Sequence, residues 1–293
     1  MSAVRAEGLG RKYRRRWALS DCTLDIPAGH VTGLVGPNGA GKTTLLNLAA
    51  GMLPPTTGVI EVCGGVPGSG ADQLAKVGYV AQDAPVYSGL TVDEHIELGA
   101  RLNPAWDAGL ARDRVHRVGL HGKQPAGKLS GGERAQLALT LGLAKRPELL
   151  LLDEPVAALD PLARREFLQD LMSAVAEHEL SVVLSSHLVA DLERVCDHLV
   201  VLVDSRVRVI GEVETLLSEH HRLTGPRREL GSLPGDQEVV AASHTDRQTT
   251  VIVRTTAPIL DPTWTVGQLG LEDLVLAYLS KPVPNRPALE VLR

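Results

Sequence analysis

A glycine-rich loop that ends in a lysine and a threonine is the strongest chemical signal in this sequence. It has the pattern G-x-x-x-x-G-K-[ST] and stands between a short apolar run and a helical pattern. Glycines let backbone N–H groups turn toward phosphate oxygens, and the following helix N-terminus adds positive charge. Lys42 would contact the outer phosphates, and the Thr43 hydroxyl would face Mg²⁺. The loop predicts binding of a nucleoside triphosphate, and its residues are Gly36, Pro37, Asn38, Gly39, Ala40, Gly41, Lys42, Thr43 and Thr44.

Two adjacent acids close a run of leucines further along the chain. The run from Leu149 to Leu152 is too short to span a membrane and predicts a central parallel strand buried on both faces. Such a strand would present Asp153 and Glu154 at its carboxyl edge. Asp153 would hold Mg²⁺ through water, and Glu154 would polarise the attacking water as general base. An acidic helix cap is the alternative interpretation, and the phosphate-binding loop favours the catalytic one.

The segment Leu129-Ser130-Gly131-Gly132 resembles the signature sequence of the ATP-binding subunits of ABC transporters. A serine hydroxyl and glycine amides at the start of a helix suit a phosphate. A capping box between Ser130 and Glu133 explains the serine equally well. It does not explain the two glycines, which weaken a first helical turn. The resemblance implies that Ser130, Gly131 and Gly132 contact the γ-phosphate held by a partner subunit, in a head-to-tail dimer that sandwiches two ATP molecules.

Three single residues match further positions of that family. Gln82 matches the glutamine that senses Mg²⁺ and the attacking water and that links to the membrane partner. His187 matches the histidine that reaches the γ-phosphate, where it would stabilise charge developing in the transition state. Asp160 matches the aspartate at the dimer seam. The family often has Thr and Ser where this chain has Val156 and Ala157, so two hydroxyls are missing near that seam.

An aromatic residue upstream of the loop is expected to stack on adenine. Tyr13 has the spacing of the family's stacking residue, and Trp17 is a nearby competitor in a chain with only 3% aromatic residues. We favour Tyr13 because of that spacing and its flat ring. The basic run over residues 11–16 could suggest nucleic acid. The net charge of −5 and the pI near 6.1, without a wider basic face, favour a solvated loop near the nucleotide and no nucleic-acid partner.

The cysteine content and the N-terminal sequence indicate the cellular compartment in which such a subunit would function. Three separated cysteines, an odd number without metal-ligand spacing, favour a reducing compartment. Arg5 and Glu7 near the N-terminus, without an apolar core, argue against a signal peptide, and the sequence shows no transmembrane segment. We expect a cytoplasmic protein that is peripheral on the inner face of the membrane through a separate integral membrane permease.

The predicted fold class is α/β. We expect a P-loop ATPase core with a mainly parallel sheet over residues 1–218, including a helical subdomain at about 83–145. A capping box at Thr91 would open one helix of that subdomain. Residues 219–293 would form a small α+β C-terminal extension behind a Pro/Gly linker at about 226–235.

The extension shows two local patterns. The β-rich runs Glu238–Ser243 and Thr250–Thr255 predict a hairpin. An amphipathic helix is predicted over Leu271–Leu279, and its Leu-Glu-Asp-Leu-Val-Leu resembles a tail motif of bacterial exporter-type subunits. These patterns offer too little apolar surface for a sizeable core. We therefore expect the apolar stripe of the helix to pack on the ATPase core or on a second copy; the stripe consists of Leu271, Leu274, Val275 and Tyr278.

The resemblance as a whole implies an ATP-hydrolysing subunit, with ATP and Mg²⁺, that energises a separate permease, with export favoured by the tail motif. The dimer could be a homodimer or a heterodimer. A soluble ABC mechanoenzyme acting on ribosomes or DNA is the alternative, disfavoured by the single cassette and the short distance in sequence between Gln82 and Ser130. A low-turnover regulatory subunit is a third possibility, disfavoured by Glu154 and His187.

Overall fold

The computed structural model describes residues 1–228 and 237–280 and divides the chain into two compact units, Met1–Ile210 and Gly211–Arg293. The division comes before the boundary that we expected after residue 218. A helix and a strand at 213–226 belong to the second unit, which accounts for the difference.

The first unit contains two sheets and the helices that connect their strands. The strands that begin in this unit are β1 (Ser2–Tyr13), β2 (Arg16–Pro27), β3 (Val31–Val35), β4 (Thr57–Val62), β5 (Val77–Val80), β6 (Leu149–Asp153), β7 (Ser181–Ser185), β8 (His198–Val203) and β9 (Arg206–Glu212). The helices are α1 (Lys42–Ala49), α2 (Ala71–Ala75), α3 (Val92–Leu102), α4 (Ala108–Arg117), α5 (Gly131–Ala144), α6 (Pro161–His178) and α7 (Val189–Leu192), with a 3₁₀ turn at Ala126–Lys128.

The larger sheet has the strand order β5-β6-β7-β3-β8-β9, and the pairs from β5 to β8 are all parallel. Every residue of β3, β6 and β7 is buried, as expected for strands covered on both faces. The predicted buried strand before Asp153 is therefore confirmed, and the apolar run before the phosphate-binding loop is the buried strand Val31–Val35. Because neighbouring parallel strands end at the same edge, the residues that follow β3, β6 and β7 come together there.

A three-stranded antiparallel sheet, β2-β1-β4, forms the second layer. Its inward side chains share one apolar cluster with α1 and with the parallel sheet, including Leu9, Leu24, Leu45, Leu151 and Val200. Burial of these side chains fixes the β1–β2 hairpin above the loop that joins β3 to α1.

The predicted helical subdomain consists of α3, α4 and α5 around a separate apolar cluster that includes Val92, Ala111 and Leu137. The predicted capping box at the start of α3 is confirmed. Thr91 Oγ1 accepts a hydrogen bond from Glu94 N at 3.2 Å, and Glu94 Oε2 accepts one from Thr91 N at 2.7 Å.

The second unit contains a four-stranded antiparallel sheet among its described residues, in the order β11-β12-β10-β13. The hairpin predicted from the sequence is confirmed as β11 and β12. Residues 229–236, which include most of the expected linker, lie outside the described residues. The elements of this unit are α8 (Val213–Glu219), β10 (His220–Pro226), β11 (Glu238–His244), β12 (Gln248–Arg254), β13 (Thr265–Gly267) and α9 (Leu271–Leu279).

The expectation that the extension lacks a core of its own is wrong. Leu223, Val251, Val253 and Trp264 form a buried apolar cluster within the second unit. Helix α9 packs against α8 and β11, and Tyr278 is hydrogen-bonded to His220 at 2.8 Å. The strands β10 and β13, which had no clear local signal, complete the sheet that makes this core possible. No helix within residues 1–228 and 237–280 is long and apolar enough to cross a membrane.

Candidate active site

A cavity of about 560 Å³ lies where the β1–β2 hairpin meets the loop between β3 and α1. It brings together predicted residues from five separate parts of the sequence. Two lining residues, Arg16 and Ala18, were not among the predicted site residues. The predicted residues that line the cavity are Tyr13, Asn38, Gly39, Gly41, Lys42, Thr43, Thr44, Gln82, Glu154 and His187.

The loop from Gly36 to Gly41 connects a fully buried strand to α1 in a shape that requires glycine. Gly41 has φ of 110°, and a Cβ there would overlap the carbonyl oxygen of Ala18. Lys42 begins the helix and is 6% exposed, and its Nζ donates a hydrogen bond to Gly36 O at 2.9 Å. The sequence thus folds into a concave set of amides with an ammonium beside it, which suits an anion. Gly36, Pro37 and Ala40 belong to the loop but do not line the cavity.

The Glu154 carboxylate lies between the side chains of Lys42 and His187. Its Oε1 lies 3.3 Å from Lys42 Nζ, and its Oε2 lies 3.0 Å from His187 Nδ1. The Glu154 backbone has φ of 46°, an uncommon conformation for a residue with a side chain. Strain of this kind persists where the surrounding structure holds the residue, and it often marks functional sites. A triphosphate bound at Lys42 would therefore have the Glu154 carboxylate beside it, with His187 next to that carboxylate.

Asp153 lies behind Glu154, at the end of β6, and is 1% exposed. Its Oδ1 accepts a hydrogen bond from Ser185 Oγ at 2.7 Å, and Ser185 Oγ accepts one from Glu154 N at 2.9 Å. The other carboxylate oxygen, Oδ2, is buried and has no hydrogen-bond partner within the described part of the chain. A buried carboxylate oxygen without a partner fits a hard cation such as Mg²⁺.

A metal at this point would depend on few protein ligands. The described residues contain no group of three or more His, Cys, Asp or Glu side chains that could hold an ion. Mg²⁺ commonly binds one or two carboxylates and completes its shell with phosphate oxygens and water. The donor set therefore fits Mg²⁺ that arrives with a triphosphate.

The two aromatic candidates for the adenine contact differ in position. Tyr13 is 44% exposed and lines the cavity, and the Arg11 guanidinium lies 5.1 Å from the centroid of its ring. Trp17 does not line the cavity, and Lys12 lies 5.3 Å from its ring centroid. Gln82 follows β5, is exposed, and also lines the cavity.

Sequence reasoning missed Arg16 and Ser185 as members of the site. Arg16 was assigned to a solvated basic loop near the nucleotide. A hairpin residue can face either side of the sheet, and the strand register that determines its side cannot be read from the sequence. Ser185 ends β7 directly beside Asp153. A small polar residue at the carboxyl end of a strand next to the acidic strand was the signal that could have identified it.

The signature residues lie at a different place. Ser130 and Gly132 line a second cavity of about 530 Å³, which also includes Gln136 and Asp170. The capping box is present: Ser130 Oγ accepts from Glu133 N at 3.2 Å, and Glu133 Oε2 accepts from Ser130 N at 2.7 Å.

Asp160 caps α6 through hydrogen bonds from Leu162 N at 3.0 Å and Ala163 N at 3.1 Å. Within one chain, neither Asp160 nor the signature residues Ser130, Gly131 and Gly132 line the cavity at the phosphate-binding loop.

The fold and the loop define a P-loop nucleoside triphosphatase. A family model described as ABC transporter matches residues 19–157. The uncharacterized ABC transporter ATP-binding protein YxlF of Bacillus subtilis is 34% identical over 222 residues, covering 72% of this chain and 71% of the relative. The chain belongs to the family of ABC transporter ATP-binding proteins, and it is an ATPase subunit.

Two further comparisons agree with this family. The thiamine import ATP-binding protein ThiQ of Salmonella typhimurium is 35% identical over 203 residues, covering 67% of this chain and 86% of the relative. The solved structure of cbiO1 from Clostridium perfringens, part of the ABC transporter complex cbiONQ, has a TM-score of 0.65 and 26% identity. That match covers 74% of this chain and 91% of cbiO1. Since one relative is named for import, the comparisons do not support the expectation of export.

Proposed function

We propose that this chain binds ATP with Mg²⁺ in the cavity at the phosphate-binding loop and hydrolyses it there as one half of a dimer that drives a separate membrane permease. The observation that carries the proposal is the convergence of Lys42, Glu154 and His187: the Glu154 carboxylate lies 3.3 Å from Lys42 Nζ and 3.0 Å from His187 Nδ1.

The residues of the cavity have separate roles in this proposal. The amides of the loop and Lys42 bind the phosphates, and Tyr13 stacks on adenine. Thr43 and Asp153, with Gln82, would hold Mg²⁺, which when bound neutralises phosphate charge. Glu154 accepts a hydrogen bond from the attacking water and orients it toward the γ-phosphate.

His187 completes the set from the far side of Glu154. Its ring lies within hydrogen-bond distance of the carboxylate, so it can hold Glu154 in place and stabilise charge that develops on the γ-phosphate. Positioning and electrostatics of this kind account for most catalysis of phosphoryl transfer.

We include a dimer because the signature residues do not line the proposed nucleotide cavity of their own chain. Ser130 and Gly132 open on a separate cavity. A Cβ on Gly131 would have nothing of its own chain within 4 Å, so packing inside the chain does not require glycine at that position. Close approach of a phosphate from a second subunit would require it. Asp160, at the start of α6, would lie near the same seam.

The permease and the cellular location belong to the same proposal. The chain would lie on the cytoplasmic face of the membrane, held there by an integral membrane protein. Its family membership supports this, as does the lack of a membrane-spanning helix in the described residues.

The test uses the tagged full chain expressed in its own organism and purified from detergent-solubilised membranes. We expect a polytopic membrane protein in near-stoichiometric amount and ATP hydrolysis by the complex. The matched control, Lys42→Ala, should recover the same membrane protein with no hydrolysis, because Lys42 contacts phosphate and not the permease. Recovery of the wild-type chain with ribosomes or DNA, without a membrane protein, would contradict the proposal and favour the mechanoenzyme.

A further inference from the structure

The β1–β2 hairpin places a cation next to the residue expected to stack on adenine. Arg16 is the direct cross-strand partner of Tyr13 in the antiparallel register. Side chains of directly opposed residues lie on the same face of a sheet, with Cβ atoms roughly 5 Å apart. Both side chains line the cavity of about 560 Å³. A nucleotide stacked on Tyr13 therefore has Arg16 beside it.

Arg16 also reaches toward the phosphate-binding loop. Its Nη2 lies 3.7 Å from the position that a Cβ would take on Gly39. Gly39 belongs to the loop and lines the same cavity. The guanidinium thus lies between the aromatic end of the cavity and the loop that receives phosphate.

Arg11, Lys12 and Lys42 have side-chain partners within the chain. The side chains of Arg14, Arg15 and Arg16 have none among the described residues, and of these three Arg16 is the one that lines the cavity. Arg11 donates a hydrogen bond to Pro54 O at 2.8 Å, and Lys12 lies over the Trp17 ring. Lys42 contacts Gly36 O and Glu154. Within residues 1–228 and 237–280, the Arg16 side chain has no hydrogen bond or ion pair, so its five N–H donors are open to a ligand.

We propose that Arg16 is a nucleotide-binding residue whose guanidinium contacts the phosphate chain from the Gly39 side of the loop, while Lys42 contacts it from the Gly36 side. This rests on the proposed function, since it needs a nucleotide in that cavity. A guanidinium forms two parallel hydrogen bonds with phosphate oxygens, which adds geometric selection to charge attraction. Arg16 would therefore select for a polyphosphate over the bare nucleoside.

The test is calorimetric titration of the full chain with a nonhydrolysable ATP analogue and, separately, with inorganic tripolyphosphate. Arg16→Ala should raise the Kd of both ligands by about tenfold, as expected for loss of a charge-assisted contact. Arg16→Lys should lie between the wild type and Arg16→Ala, because it keeps the charge and loses the paired donors. The matched control is Arg15→Ala, an exposed neighbour that does not line the cavity, which should bind both ligands as the wild type does.

Two outcomes overturn the assignment. Unchanged binding of both ligands by Arg16→Ala means that Arg16 does not contact the nucleotide. Weaker binding of the ATP analogue with unchanged binding of tripolyphosphate means a contact to base or ribose and not to phosphate. Lys42→Ala separates this inference from the proposed function. If Lys42→Ala loses both ligands while Arg16→Ala keeps them, only the Arg16 assignment fails; if Lys42→Ala also keeps them, the cavity is not the nucleotide site.

Discussion

The ammonium nitrogen of Lys42 lies 3.3 Å from a carboxylate oxygen of Glu154. The side chain proposed to bind phosphate, Lys42, thus contacts the side chain proposed to orient the attacking water, Glu154. Lys42 is 6% exposed, so the pair is held in a largely buried place where charges interact more strongly than in water. A triphosphate in the loop would compete with Glu154 for Lys42. Its arrival would leave the carboxylate available to a water molecule.

Removal of the Ser185 hydroxyl should weaken both the fold and the site. The Ser185 hydroxyl donates to Asp153 Oδ1 at 2.7 Å and accepts from Glu154 N at 2.9 Å, and Ser185→Ala removes both hydrogen bonds. Unfolding by urea should show a loss of about 1–3 kcal/mol, the usual effect of an unsatisfied buried polar group. ATP turnover should also fall, because both carboxylates lose a fixed position.

Ser173→Ala is the control for that measurement. Its hydroxyl bonds a carbonyl of its own helix on the exposed side of α6. A change within about 0.5 kcal/mol is expected there. Equal stability and turnover of the Ser185→Ala and Ser173→Ala proteins would show that the Ser185 hydroxyl does not support the site.

Substitution of Ser130 should separate nucleotide binding from turnover. Ser130→Arg should leave ATP binding by the monomer nearly unchanged, because Ser130 does not line the cavity at the phosphate-binding loop. It should abolish hydrolysis, because bulk and charge would lie where a partner's nucleotide approaches. Equilibrium binding and steady-state ATPase assays check the two parts. The control is Thr91→Arg, which removes the equivalent helix cap from α3 and should keep hydrolysis. Loss of ATP binding by the Ser130→Arg monomer would contradict this prediction and would mean that Ser130 contacts the nucleotide bound by its own chain.

The second unit should lose stability in mild acid. Burial lowers the pKa of His220 below its ordinary value of 6.5, although the hydrogen bond to Leu216 O raises it. With Nδ1 donating to that carbonyl, Nε2 can accept from Tyr278 only while the ring is neutral. The folded state therefore binds fewer protons than the unfolded one, and stability falls as pH drops below about 6.5.

Hydrogen exchange of β10 and β12, corrected for the intrinsic effect of pH, measures this loss in the full chain. His220→Gln should remove the pH dependence and lower stability at neutral pH. His221→Gln, on the adjacent residue, should keep the wild-type dependence. A wild-type protein whose corrected exchange stays constant from pH 7.5 to about pH 5 would contradict the argument.

The sequence was sufficient where a local pattern carries the chemistry. The loop before Lys42 and the buried strand before Asp153 both follow from short motifs, and the structure has the expected strands at both places. The position of Arg16 could not be predicted, since the hairpin register decides which side of the sheet it faces. The role of Ser185 depends on β6 and β7 being neighbours, which no local pattern states.

The extension illustrates the same limit. Its hairpin and the helix at Leu271–Leu279 were predicted from alternation and periodicity. Strands β10 and β13 were not, because β13 has only three residues and β10 pairs with segments distant in sequence. Without these strands, we expected too little apolar surface in the extension for a sizeable core. The buried cluster that includes Leu223 and Trp264 shows that this expectation was wrong.

The measurement that tests the account most directly is ATP hydrolysis by the purified Glu154→Gln protein, with its oligomeric state followed by light scattering. Glutamine keeps the shape of the side chain but cannot take charge or accept as a carboxylate does. We expect ATP binding to persist, turnover to fall by at least about 100-fold, and an ATP-stabilised dimer to accumulate. Hydrolysis by Glu154→Gln at the wild-type rate would show that Glu154 does not act on the attacking water and would contradict the account.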